Sequence, residues 1–157
     1  MIALVRVDDR LVHGQVVCAW VPHVQASSVV FVSEYEPEEV FVEAATHVCS
    51  GEGIEFKVFT AREVVEHFKA GDFDSGTAIL ILNDLGEALK LYEEGYRFES
   101  INIGNIHHNR DGRALSRSVM LNESDDAIIE KLRGMGVEID IRALPGKEPV
   151  PYIARRR

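Results

Sequence analysis

Short apolar runs recur along this chain, each followed by a segment of helical periodicity with recognisable ends. That alternation leaves few folds open. Strands are expected over residues 1–7, 29–32, 54–59, 78–82, 101–103, 118–121 and 137–141. The unbroken runs at 29–32 and 78–82 suit central parallel strands covered on both faces, whereas the alternation of Val137, Ile139 and Ile141 with Glu138 and Asp140 suits an edge or antiparallel strand. Pro37 opens a helix expected to turn Val40, Ala44 and Val48 inward. Thr60 and Glu63 form a capping box, Asp84 caps a segment that Gly95 ends, and Asn122 or Ser124 opens a last helix carrying Ile128, Ile129 and Leu132, closed by Gly134. The pattern predicts an α/β fold: an open, doubly wound, mostly parallel β-sheet with helices on both faces and an antiparallel edge. In such folds ligands sit at the carboxyl ends of the strands.

Residues 1–143 read as one domain and 144–157 as an irregular tail, because Pro145, Pro149 and Pro151 bar a helix there. The net charge of −9 argues against a nucleic-acid coat. Cys18 and Cys49 are too few to staple the chain and are expected as reduced core residues. Trp20 and Phe68 are expected in the core as well. No apolar run reaches the roughly 18 residues of a membrane helix, so a cytoplasmic protein is expected.

The loop after the first strand concentrates the chemistry: Asp8-Asp9-Arg10-Leu11-Val12-His13-Gly14-Gln15-Val16. A neutral imidazole at His13 has a lone pair for attack on phosphorus. The planar guanidinium of Arg10 suits phosphoryl oxygens, and backbone N–H groups at Gly14 and Gln15 add donors at a helix start. Asp8 or Asp9 would brace the loop by accepting from Arg10 or backbone N–H. A purely structural loop gives the same pattern. A metal site on Asp8, Asp9 and His13 would need a further ligand, and none is spaced to complete it.

Residues 6–16, with Trp20 four positions on, closely resemble the opening of the sorbose/mannose-family IIB components of the bacterial phosphotransferase system (PTS). Ser100-Ile101-Asn102-Ile103-Gly104, followed by a polar loop and Ser116-Arg117-Ser118-Val119, is similar to a second stretch of that family. The resemblance runs from about residue 1 to 143 and implies an open α/β phosphocarrier. It implies that His13 takes phosphate from a IIA partner and gives it to a sugar presented by membrane IIC and IID subunits, which is phosphotransferase activity. Arg10 would flank the phosphate, and Asp8 and Asp9 match the motif's acidic pair. No cofactor or metal is called for. A position at the inner face of the membrane fits, and a homo-oligomer is compatible.

The chain also departs from the pattern. Asn105 stands where relatives often carry a second glycine, and a left-handed turn is expected there. The tail lacks the usual terminal helix and ends in Arg155-Arg156-Arg157. Residues 1–100 carry a net −11 against +2 for 101–157, so Arg110, Arg113 and Arg117 are candidates for substrate or partner contacts, with a solvated hairpin as the alternative. His107 and His108 read as exposed turn residues. Two other functions stay open: a regulatory module switched by phosphorylation of His13 without sugar transport, and a small metal-dependent hydrolase.

Overall fold

The computed structural model describes residues 1–14, 16–107 and 112–156. In chain order, β1 (Ile2–Asp8) leads through a π-helical turn (Val16–Trp20) into α1 (Val21–Val24). Next come β2 (Ser28–Val32), α2 (Glu39–Gly51), β3 (Glu55–Phe59), α3 (Ala61–Ala70), β4 (Ala78–Leu82) and α4 (Leu85–Glu94). The remainder is β5 (Ser100–Asn105), β6 (Arg113–Ala114), β7 (Met120–Leu121), α5 (Glu123–Gly134) and β8 (Glu138–Asp140).

Six strands form one sheet in the order β3-β2-β4-β1-β5-β8, and every pairing in it is parallel. Antiparallel pairing occurs in the separate β6-β7 ribbon and at the β8 edge, where Asp140 bridges to Pro151 of the tail. The strand period of two divides the core. Val5, Val7, Val30, Val32, Leu80 and Leu82 face α3, α4 and α5, while Val29, Ile79 and Ile81 face Trp20, Val21 and Cys49. β4 has all five residues buried, as an unbroken apolar run requires at the centre of a sheet covered on both sides.

The caps form as the residues dictate. Thr60 Oγ1 accepts from Glu63 N at 3.2 Å while Glu63 Oε2 accepts from Thr60 N at 2.7 Å. Asp84 accepts from Glu87 N at 2.9 Å, and Asn122 and Asp125 form a second capping box.

Three expectations about packing are corrected. α2 turns Ala45 and Cys49 inward, leaving Val40 and Val48 exposed. Its stripe is set by Phe41, which meets Phe31 and Phe56 edge-on at 5.2 and 6.2 Å, and the larger aromatic decides which face is buried. Cys18 is exposed, on the outer side of its turn, although Cys49 is buried as expected. Trp20 is buried, but Phe68 is half exposed, lying against Tyr96 at 5.0 Å between ring centres.

Among its described residues the tail has no helix, and it returns to the domain. Ile141 N donates to Val150 O at 3.0 Å. Tyr152 then enters the core, with its hydroxyl 2.8 Å from Asp126 Oδ1.

Among the described residues no helix is long and apolar enough to cross a membrane.

Candidate functional site

β1 lies between β4 and β5. Its outgoing chain goes to α1 on one face, whereas β4 and β5 lead to α4 and α5 on the other. Loops diverging from neighbouring strands leave a crevice at their carboxyl ends, and the Asp8–Gly14 segment occupies it.

Asp8, the last residue of β1, is fully buried and organises this loop. Its Oδ1 accepts from Arg10 N at 3.1 Å and Arg10 Nε at 3.2 Å. Its Oδ2 accepts from Arg6 Nη2 at 3.0 Å and Arg10 Nη2 at 3.2 Å, and lies 3.0 Å from His13 Nε2. Burial alone would raise the Asp8 carboxyl. The hydrogen bonds from Arg10 and His13, with the charge of Arg6, more than offset it and hold the group below the ordinary carboxylate value. An ionised carboxylate only accepts, so the proton between Asp8 and His13 sits on Nε2.

The turn that brings Arg10 and His13 back over Asp8 closes with Leu11 N donating to Asp8 O at 2.9 Å. Leu11 takes a left-handed conformation, φ 59°. For a leucine this costs roughly 1–2 kcal/mol, retained because the Asp8 bonds fix the loop on both sides. Arg10 and His13 are 40% and 22% exposed at their side chains, so both present a surface while anchored on a buried group. The His13 carbonyl accepts from Val16 N and Val17 N at 3.1 and 3.2 Å, which starts the helical turn. Among the described residues, a side chain at Gly14 would meet no atom within 4 Å. Gln15 lies outside the described residues.

Asp9 faces β5. Its backbone N–H donates to Asn105 O at 3.0 Å, and its carboxylate accepts from the Asn105 amide and from His107 N, the latter at 2.6 Å. Asn105 is therefore a strand residue that ties the loop down, and the left-handed turn expected there is absent. His107 is about half exposed, and His108 lies outside the described residues.

Of the basic segment, Arg113 is engaged away from the loop. Arg113 turns towards α5 and the tail, with Nη2 2.7 Å from Asp126 Oδ1 and its guanidinium 5.8 Å from the Tyr152 ring. Arg117 is exposed between β6 and β7, and Arg110 lies outside the described residues. Among the described residues no group of three or more His, Cys, Asp or Glu could hold a metal ion.

Sequence reasoning missed the support beneath the loop. Arg6 is fully buried, bonds the Asn102 side-chain oxygen as well as Asp8, and lies 5.3 Å from the centre of the Trp20 ring. The available signal was a charged residue between Val5 and Val7 in an otherwise apolar strand. Gly104 belongs to the same layer, because a Cβ there would fall on the Arg6 guanidinium.

A family model described as "PTS system sorbose subfamily IIB component" matches residues 2–154. A fructose-specific EIIB component of Bacillus subtilis (strain 168) is 24% identical over 152 residues, covering 97% of this chain and 93% of that protein. An N-acetylgalactosamine-specific enzyme IIB component 2 of Escherichia coli (strain K12) is 26% identical over 149 residues, covering 95% and 94%. Among solved structures, the N-acetylgalactosamine-specific IIB component 1 from Escherichia coli superposes with a TM-score of 0.83 at 24% identity, over 98% of this chain and 99% of that one. The match along almost the whole length, together with the parallel sheet and its loop after β1, shows that this chain belongs to the sorbose subfamily of IIB components of the PTS.

Proposed function

We propose that His13 carries the phosphoryl group in PTS sugar uptake, taking it from a phosphohistidine of a IIA partner and giving it to a sugar held by membrane IIC and IID subunits. The phosphocarrier role in sugar uptake follows from family membership. The residue and the two steps are argued from the loop.

The observation that carries the reading is the 3.0 Å contact between His13 Nε2 and the ionised Asp8. With the proton fixed on Nε2, the lone pair of the neutral ring is on Nδ1. Attack by Nδ1 forms a P–N bond as the donor's P–N bond breaks and its electron pair returns to the donor imidazole. The product ring is an imidazolium, whose charge the adjacent carboxylate stabilises. In the second step the sugar oxygen displaces Nδ1, His13 leaves as a neutral imidazole, and the hydroxyl proton goes to a base at the sugar's own site. Such transfer needs mainly positioning and charge compensation. Arg10, anchored on Asp8 yet 40% exposed, supplies a guanidinium for the equatorial oxygens.

The test is intact-mass analysis after incubation with phosphoenolpyruvate, the general PTS proteins and a cognate IIA. One acid-labile phosphate is expected on the wild type and none on His13→Ala. Phosphate at wild-type level on the variant would refute the assignment. Uptake of sugar with the membrane subunits then tests the second step, and nothing observed favours the purely regulatory alternative.

A further inference from the structure

Beneath the loop lies a cation that the mechanism above does not use. The Arg6 guanidinium is fully buried, donates from Nη2 to Asp8 Oδ2 at 3.0 Å and bonds the Asn102 oxygen through Nη1. Asn102 is itself oriented, since its amide donates to Arg142 O at 2.9 Å and to Asp140 Oδ2 at 3.3 Å. Asp140 in turn takes Arg142 Nε at 2.7 Å. Gly104 leaves the room in which the planar fork lies, and Trp20 borders it, with Arg142 a further 5.8 Å from the same ring. Lysine, a point charge on a flexible stem, could not bridge Asn102 and Asp8 in this way.

We propose that Arg6 is a positioning residue for phosphoryl transfer: locked between Asn102 and Asp8, it fixes the orientation and charge of Asp8 Oδ2, and so keeps His13 in the neutral, Nε2-protonated form that attacks phosphorus. This rests on His13 being the acceptor. Three donors, from Arg6, Arg10 and His13, converge on one oxygen. A carboxylate facing an imidazole favours the imidazolium, which has no lone pair to attack with. The two guanidiniums oppose that tendency, but they are not equivalent. Arg10 is partly exposed and is the group that must turn towards the phosphoryl oxygens. Arg6 has no exposure and cannot leave. It therefore keeps Asp8 compensated while Arg10 is engaged elsewhere.

The charged and titratable groups facing this layer are Asp8, Arg10 and His13 on β1 and its loop, Asp140 on β8 and Arg142 just beyond it, among the described residues. Asp9 and His107 stand at the β5 side of the loop, where the His107 backbone N–H donates to the Asp9 carboxylate. The π-helical turn contributes the uncharged Trp20 and β5 the uncharged Asn102.

The test is the pH dependence of phosphate acceptance by the full chain from charged IIA, for wild type and Arg6→Gln. The rate of phosphate acceptance by Arg6→Gln is expected to fall about tenfold near pH 6 and by less than about threefold near pH 8.5. Arg6→Lys should restore part of the rate near pH 6. A loss by the same factor at every pH, or an unchanged profile, overturns the proposal. Should Arg6→Gln not fold, Asn102→Ala keeps the charge and removes one anchor. A smaller loss, again greater near pH 6, is expected, and a profile parallel to wild type overturns the proposal. Wild type in the same series separates the two ideas: no phosphate on it, with IIA shown to be charged, refutes the His13 assignment, whereas a normal wild-type profile with a pH-independent variant effect refutes only the role of Arg6.

Discussion

Oδ2 of Asp8 stands 3.0 Å from Nε2 of His13, at the buried end of one strand and five residues back along the chain. That contact makes the loop a single unit, because the same carboxylate holds Arg10 by backbone and side chain. The imidazole and the guanidinium are thus placed by one group that the solvent does not reach.

Arg10→Ala should leave the fold intact, since the side chain is 40% exposed and the Asp8 carboxylate it bonds retains Arg6 and His13. Removing one charge-assisted contact from the transferring group is worth about 1.5–3 kcal/mol, so transfer should slow by roughly 10- to 100-fold. Quench-flow phosphorylation with charged IIA reads this. Transfer within a factor of two of wild type would remove Arg10 from the mechanism.

Asp8→Asn removes the counter-charge of the buried Arg6, and breaking such a pair costs about 3–5 kcal/mol. The effect depends on pH with a definite sign. Because the folded chain holds this carboxyl below its ordinary value of 3.8, its stabilisation is complete above that value and is lost as pH falls towards the folded-state value. The gap in urea midpoint between wild type and Asp8→Asn should be widest above about pH 5 and should shrink towards pH 3. A gap that is constant with pH would contradict this account.

Two glycines should respond oppositely to alanine. At Gly104 the methyl would strike the Arg6 guanidinium, and overpacking costs about 1–3 kcal/mol, with Asp8 displaced as well. At Gly134, the last residue of α5, the methyl meets nothing within 4 Å among the described residues, and alanine should stabilise by about 0.5–1 kcal/mol. Chemical denaturation of both variants checks the pair. A Gly104→Ala protein as stable as wild type would show that Arg6 can be accommodated elsewhere.

Tyr152→Ala should destabilise the domain by about 2–4 kcal/mol, because the ring is buried against the core and its hydroxyl bonds Asp126. Tyr152→Phe, which loses the hydroxyl alone, should cost about 1 kcal/mol. If Tyr152→Ala costs less than about 0.5 kcal/mol, the tail does not anchor the fold.

Much of this was legible in the residues, and for local reasons. A capping box needs only Thr60 and Glu63 three positions apart, and a strand buried on both faces needs only the unbroken run at β4. The loop could be read because Asp8, Arg10 and His13 lie within six residues, so their meeting requires one turn and no distant partner.

Most of the failures share one feature, namely that the deciding partner lies outside the segment being read. In α2 two stripes, one through Val40 and one through Phe41, are equally helical, and only Phe31 and Phe56 on the sheet choose between them. Asn105 reads as a turn former until Asp9 arrives from β1 to hold its amide. Arg113 reads as a surface cation until Asp126 and Tyr152 close around it.

The sequence by itself thus determined the order of elements, their ends and the chemical groups of the loop, all of which depend on short-range periodicity and hydrogen bonding. Tertiary structure decided what lies beneath the loop. Placing β1 between β4 and β5 brings Asn102, Gly104 and Asp140 around Arg6, residues about a hundred positions away or more. A buried charge is tolerable only where such distant partners converge on it, and that convergence is a property of the sheet order rather than of any segment of the chain.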